Sequence, residues 1–211
     1  MSDLHRLVAT ALLSIAAGCA REVPRPRAAP ASSSRPAPSS APAPSSAPAA
    51  SRSVVETAHF SVPLPAGYDD ATTEHQERAP QLEAVLRAAA ARDGQRPTIV
   101  VQKVPIPGGT FADPALCAQT GQGLVHGGTV AAGTGGTLLS AAIVDGPLGK
   151  TCQIHLRAPE GIALITELFE PGNTPATPKD VWLMTCNHAD GDAGAEAACR
   201  ATLAGFRFRA R

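Results

Sequence analysis

The sequence predicts an α+β fold, a largely antiparallel β-sheet covered by helices, preceded by a signal peptide and a disordered tether. Three observations carry this reading. Composition changes along the 211 residues: residues 20–52 are mostly Pro, Ser and Ala, whereas from Ser53 onward the apolar content is that of a globular protein. Short β-branched or apolar runs, separated by Gly, Pro or Asn turns, follow one another between residues 98 and 187. Helical patterns with start and stop signals lie early in that region and again at its end, so hairpins in series are flanked by helices.

The chain starts with a leader. After Arg6, residues 7–18 form an uncharged run of twelve, rich in Ala and Leu. Twelve helical residues rise about 18 Å, short of a roughly 30 Å hydrocarbon core. A short apolar run with a basic start and small residues at its end describes a signal peptide, here residues 1–18. The run closes with Ala16-Ala17-Gly18-Cys19. This tetrad resembles the lipobox of bacterial lipoproteins. The resemblance implies that the Cys19 thiol is acylated with diacylglycerol and that Cys19 becomes the new N-terminus. The family usually has Leu, Val or Ile where this chain has Ala16, and Asp3 weakens the basic start. The alternative is an ordinary secretory signal cleaved near residues 16–18, which leaves Cys19 as an odd free thiol.

Residues 19–52 form the tether. From residue 20 it holds eight Pro and eight Ser and almost no large apolar side chain, so it cannot build a core. Ala-Pro-Ser-Ser repeats favour polyproline II segments with flexible joints. Fully extended, such a segment reaches on the order of 100 Å at about 3.1 Å per residue, enough to hold a domain away from a bilayer.

Residues 53–211 form one domain. Residues 56–64 read as a strand ended by Pro65-Ala66-Gly67. Residues 80–92 read as a helix, with Pro80 in the first turn, a stripe of Leu82, Val85, Leu86 and Ala89, and Gly94 as the stop. Residues 98–106 are β-branched and turn at Pro107-Gly108-Gly109. Asp113 and Pro114 start a helix as N-cap and first residue, with Leu116, Cys117, Thr120 and Leu124 along one face, fraying near Gly127-Gly128. Strands follow over residues 137–144, 149–156, 162–169 and 180–187, with Asp145-Gly146 and Glu160-Gly161 marking hairpins. A helix over residues 194–204 carries Ala195, Ala198, Cys199, Thr202 and Leu203 on one face. Phe206 and Phe208 then alternate with Arg207 and Arg209.

The segment Phe60-Ser-Val-Pro-Leu-Pro-Ala-Gly-Tyr68 resembles the opening of PsbP-like domains, including those of LpqN-type bacterial lipoproteins. The later strand order and the terminal helix with its trailing Phe are also similar. The resemblance implies an α/β/α sandwich. It implies no reaction, because that fold serves mostly in assembly factors, accessory subunits and binding proteins.

Charge excludes one class of partner. The net charge is zero, but the tether carries five arginines against one glutamate, and the domain holds more Asp and Glu than Lys and Arg. A domain of that balance lacks the basic footprint that nucleic acid needs.

Four cysteines lie beyond the tether: Cys117, Cys152, Cys186 and Cys199. An even number in an exported domain reads as two disulfides. The favoured pairing is Cys186–Cys199 with Cys117–Cys152. Cys186 ends a strand, and Cys199 lies on the apolar face of the next helix. Cys152 alternates with Ile154 and Leu156 toward a face that the Cys117 helix could cover. No C-x-x-C and no clustered ligand set points to a metal or cofactor.

No motif supports catalysis. Gly149-Lys150-Thr151 resembles the end of a phosphate-binding loop, but Val144 stands where its first Gly is required and a strand follows. His126-Gly127-Gly128 resembles a lipase oxyanion loop, but the chain has no G-x-S-x-G. His59, His75, His155 and His188 are dispersed and read as surface or half-buried. Glu167 with Glu170, and Asp69 with Asp70, read as solvated charge. The expected function is that of a non-catalytic binding or accessory module of the cell envelope, outside the cytoplasm. Its expected partners are a bilayer, through acylated Cys19, and an envelope protein or small ligand. The alternatives are an envelope enzyme with a dispersed active site and a passive structural lipoprotein.

Overall fold

A computed structural model describes residues 53–77, 79–92, 94–104, 109–126, 136–158 and 160–210. The leader, Cys19 and the tether lie outside the described residues, as do Pro107-Gly108 and Gly127-Gly128. In chain order the elements are β1 (Val54–Glu56), β2 (Phe60–Pro63), β3 (Tyr68–Asp70), α1 (Thr72–Gln76), β4 (Leu82–Ala88), β5 (Thr98–Val104), α2 (Pro114–His126), β6 (Thr137–Gly146), β7 (Gly149–Ala158), β8 (Gly161–Phe169), β9 (Val181–His188), α3 (Ala193–Gly205) and β10 (Arg207–Phe208). The fold is α+β and mostly antiparallel sheet. Seven strands run in the order β3-β4-β5-β9-β8-β7-β6, and a smaller sheet runs β1-β2-β10.

Alternation along the strands sends side chains to two faces, and each face is covered. On one face Ala84, Leu86, Ile99, Val101, Leu168, Trp182, Met184 and Cys186 pack against Phe60 and Val62 of the small sheet, Cys199 of α3, and Phe206. On the other, Cys152, Ile154, Leu156, Ile165 and Leu183 pack beneath Cys117 and Leu124 of α2. Further along that second face, Ala71, Ala79, Leu82, Val85 and Val100 form a smaller cluster beside α1. The helices approach closely through glycine. A Cβ on Gly121 of α2 would stand 2.9 Å from the Ala141 Cβ, and one on Gly205 would overlap the Pro63 ring.

The sheet departs from the sequence reading at four places. Residues 80–92 are not a helix: β4 occupies Leu82–Ala88 as an inner strand between β3 and β5. Leu82 pairs with Gln102 and Ala84 with Val101, so a bulge at Glu83 shifts the phase of the strand. Leu82 and Val85, three apart, therefore fall on the same face, while Ala84 and Leu86 fall on the other. A strand apolar on both faces and interrupted by a bulge imitates helical spacing. Residues 56–64 are not one strand either. Thr57 Oγ1 accepts from the backbone N–H groups of His59 and Phe60, at 3.1 Å each, and turns β1 back antiparallel to β2. On α2, Leu116 is 44% exposed and Thr120 only half-buried, while Cys117, Gly121 and Leu124 face inward. The short helix α1 has no counterpart in the sequence reading. Asp70 Oδ1 accepts from the backbone N–H of Thr72, at 2.9 Å, where it begins.

The remaining elements match in kind and nearly in extent. β6 to β9 each fall within two residues of the expected strands, β6 and β7 turn at Pro147-Leu148, and α3 runs from Asp192, whose Oδ1 accepts from the Ala195 N–H at 3.0 Å.

Candidate functional site

The cysteines join the layers. Cys117 of α2 is bonded to Cys152 of β7, with Cα atoms 5.5 Å apart, and Cys186 of β9 to Cys199 of α3, with Cα atoms 6.1 Å apart. Each bridge fastens a helix to the sheet, one on either face. All four residues are buried, so no sulfur is presented for exchange or metal binding.

The most unusual group in the described domain is Glu167. Its place near the end of β8 suggested solvated charge, but it is only 6% exposed. Alternation along β8 turns it toward the α2 face, and the connection from β5 to α2 covers it. In that connection Thr110 is buried, its Oγ1 donates to Glu167 Oε2 at 2.5 Å, and its backbone N–H donates to the same oxygen at 3.4 Å. Burial pushes the Glu167 carboxyl above its ordinary value, and the two Thr110 hydrogen bonds pull it partly back. Phe111 and Ala112, which follow Thr110, have φ of 50° and 59°, in the left-handed region that side chains other than glycine seldom adopt. A strained turn is thus pinned to the sheet by one carboxylate. The sequence signal that could have exposed Glu167 is its phase in β8, two positions from Ile165 and facing the same way.

Such a carboxyl would interest an enzymologist if it opened on a substrate-sized space. Thr110 closes over the carboxyl instead, and the small space that residue 167 helps to line, about 10 Å³ and room for about one water, lies on the opposite face of the sheet with Leu148 and Leu203. A larger surface cleft of about 380 Å³ lies elsewhere, lined among others by Gln95, Arg157, Glu160, Gly161 and Asp190. There Arg157 is already neutralised by Asp190 at 2.7 Å, with both side chains more than half exposed. No described cysteine or histidine lines that cleft.

The other residues singled out from sequence are not brought together. Lys150 and Thr151 lie at the start of β7, and Thr151 Oγ1 donates to the Glu167 carbonyl as an internal sheet contact. His126 ends α2. His59, His75 and His155 are half-buried, but His188, expected at or near the surface, is buried, with Nδ1 2.8 Å from the Ala189 carbonyl. Asp70 belongs to the α1 entry. Among the described residues no group of three or more His, Cys, Asp or Glu could hold a metal ion, and no helix is long and apolar enough to cross a membrane.

Sequence reasoning also missed a polar contact that crosses the domain. Asp192, 4% exposed at its side chain, caps α3 and receives Arg92 Nη1 at 3.1 Å. Tyr68 lies close by. Its hydroxyl is raised by burial first and by the Asp192 charge second, against a lowering from Arg92. This is a structural joint between β3, the turn after β4 and α3. No protein-family model matches the chain, and no curated protein matches it.

Proposed function

We propose that the chain is an exported lipoprotein, anchored in a membrane of the cell envelope through acylated Cys19 and held off it by residues 20–52. In this reading residues 53–211 serve as a non-catalytic binding or accessory module, on a PsbP-like scaffold. The observation that carries the proposal is the pair of buried disulfides, one on each face of the sheet. Bridges of this kind persist in oxidising compartments outside the cytoplasm, which is where a signal peptide would deliver the domain. Helices on both faces of an antiparallel sheet agree with the PsbP-like reading drawn from residues 60–68. The non-catalytic assignment rests on the setting of Glu167, whose carboxylate is buried and engaged by Thr110.

Fractionation of the envelope and the mass of the N-terminal peptide test the anchor. The wild type should partition with membranes and carry a diacylglyceryl mass on Cys19, and Cys19→Ser should release the protein or leave it unprocessed. A soluble wild type with an unmodified N-terminus would refute the lipoprotein reading.

A further inference from the structure

Strand β6 is ten residues long and stands last in the seven-stranded sheet. Leu138, Leu139, Ala141, Ala142, Ile143 and Val144 make it apolar, yet none of its ten residues is buried. Its neighbour β7 buries Thr151, Cys152, Ile154 and Leu156. An outermost strand presents a row of N–H and C=O groups free to pair, and proteins usually blunt such an edge with Lys, Pro or shortness. The opposite edge, β3, follows that rule with three residues, two of them Asp69 and Asp70. Strand β6 does not: it contains no Lys, Arg or Pro, and Asp145 is its single charge. Leu139 is 41% exposed. So, at 44%, is Leu116, on the helix that packs over β6 and β7. They are two of the three large apolar side chains exposed among the described residues.

We propose that β6 is a homodimerisation edge, at which two copies of the chain pair antiparallel about a two-fold axis and join their sheets into one. Charge selects this occupant and this direction. In a pairing centred on Ala142, which then stands opposite its own copy, each Asp145 lies six positions along the strands from its counterpart. The two Asp145 carboxylates are then about 20 Å apart at about 3.3 Å per residue, beyond a Debye length of about 8 Å. A parallel pairing would set the two carboxylates side by side. An edge with one charge in ten residues has nothing to select a charged foreign strand, whereas a two-fold antiparallel pair needs only that the strand be complementary to itself. The pairing would give partners to the outer backbone groups of β6, which have none among the described residues, and cover Leu139. This inference goes beyond the membrane anchor and stands without it.

The test uses the purified full chain in two measurements. A photoreactive side chain at position 142 should give a covalent product of twice the chain mass, and the same side chain at position 201, exposed on α3, should not. In sedimentation across a concentration series the wild type should dimerise. The variant Ala142→Lys should raise the dimer dissociation constant about tenfold or more, because the two like charges then face each other across the axis. Its melting temperature checks that the variant is folded, and the photochemical readout does not depend on it. A wild type that stays monomeric up to its solubility limit would overturn the proposal. So would position-142 products formed only with a different protein in the intact envelope, or equal dimer products from positions 142 and 201.

Discussion

Thr110→Val removes the hydroxyl that donates to Glu167 Oε2 at 2.5 Å and preserves the shape of the residue. What remains is the carboxylate of a residue only 6% exposed, with only the long 3.4 Å contact from the Thr110 N–H. A hydrogen bond to a charged group contributes about 1.5–3 kcal/mol, so a loss of about 2 kcal/mol is expected near neutral pH. For a domain of this size that corresponds to a melting temperature lower by about 4–8 °C. The pH dependence discriminates further. The folded-state pKa of Glu167 is raised by burial, so the native domain binds this proton more tightly than the unfolded chain does. The stability linked to it is complete below the unfolded carboxyl value of about 4.3, and is lost as pH rises through the raised folded value. The Thr110→Val penalty should therefore shrink on acidification through that window, since a protonated carboxyl depends less on the donor. Glu167→Gln should be neutral or stabilising at pH 7 and should abolish this component of the pH dependence. Guanidinium unfolding followed by circular dichroism from pH 4 to pH 8 reads all three proteins. A Thr110→Val penalty of the same size at both ends, or an unchanged pH slope in Glu167→Gln, would refute the account of Glu167 as a buried carboxylate held by Thr110.

Two further outcomes follow from the packing. Replacing either cysteine pair by alanine should lower the unfolding free energy by about 3 kcal/mol, because each bridge closes a loop of 13 or 35 residues in the unfolded chain; thiol titration of the native wild-type domain should find none of these four sulfurs free. Gly205→Ala should destabilise by about 1–3 kcal/mol despite alanine's better helix propensity, since its Cβ would overlap the Pro63 ring between α3 and β2; a stabilised variant in thermal unfolding would show that the two elements are not in close contact.

The sequence alone determined what depends on near neighbours along the chain. Turn residues at fixed places bounded β6 through β9, and the 3.6-residue stripe marked α3. These are local periodicities that survive in any context. The face of α3 was readable for the same reason, since Ala195, Cys199 and Thr202 are buried in register.

Tertiary structure decided the rest, because burial is a property of what lies across a gap and not of what lies beside a residue in the chain. Residues 82–88 are a strand because β3, β5 and two covering layers satisfy both faces, and the bulge at Glu83 erases the alternation that would have announced it. Glu167 is buried because Thr110, 57 positions earlier, is folded over it by a strained turn whose residues carry no glycine signal. Strand β6 has the same apolar character as its neighbours and packs beneath α2, and only its place at the end of the sheet leaves its outer edge without a partner strand among the described residues.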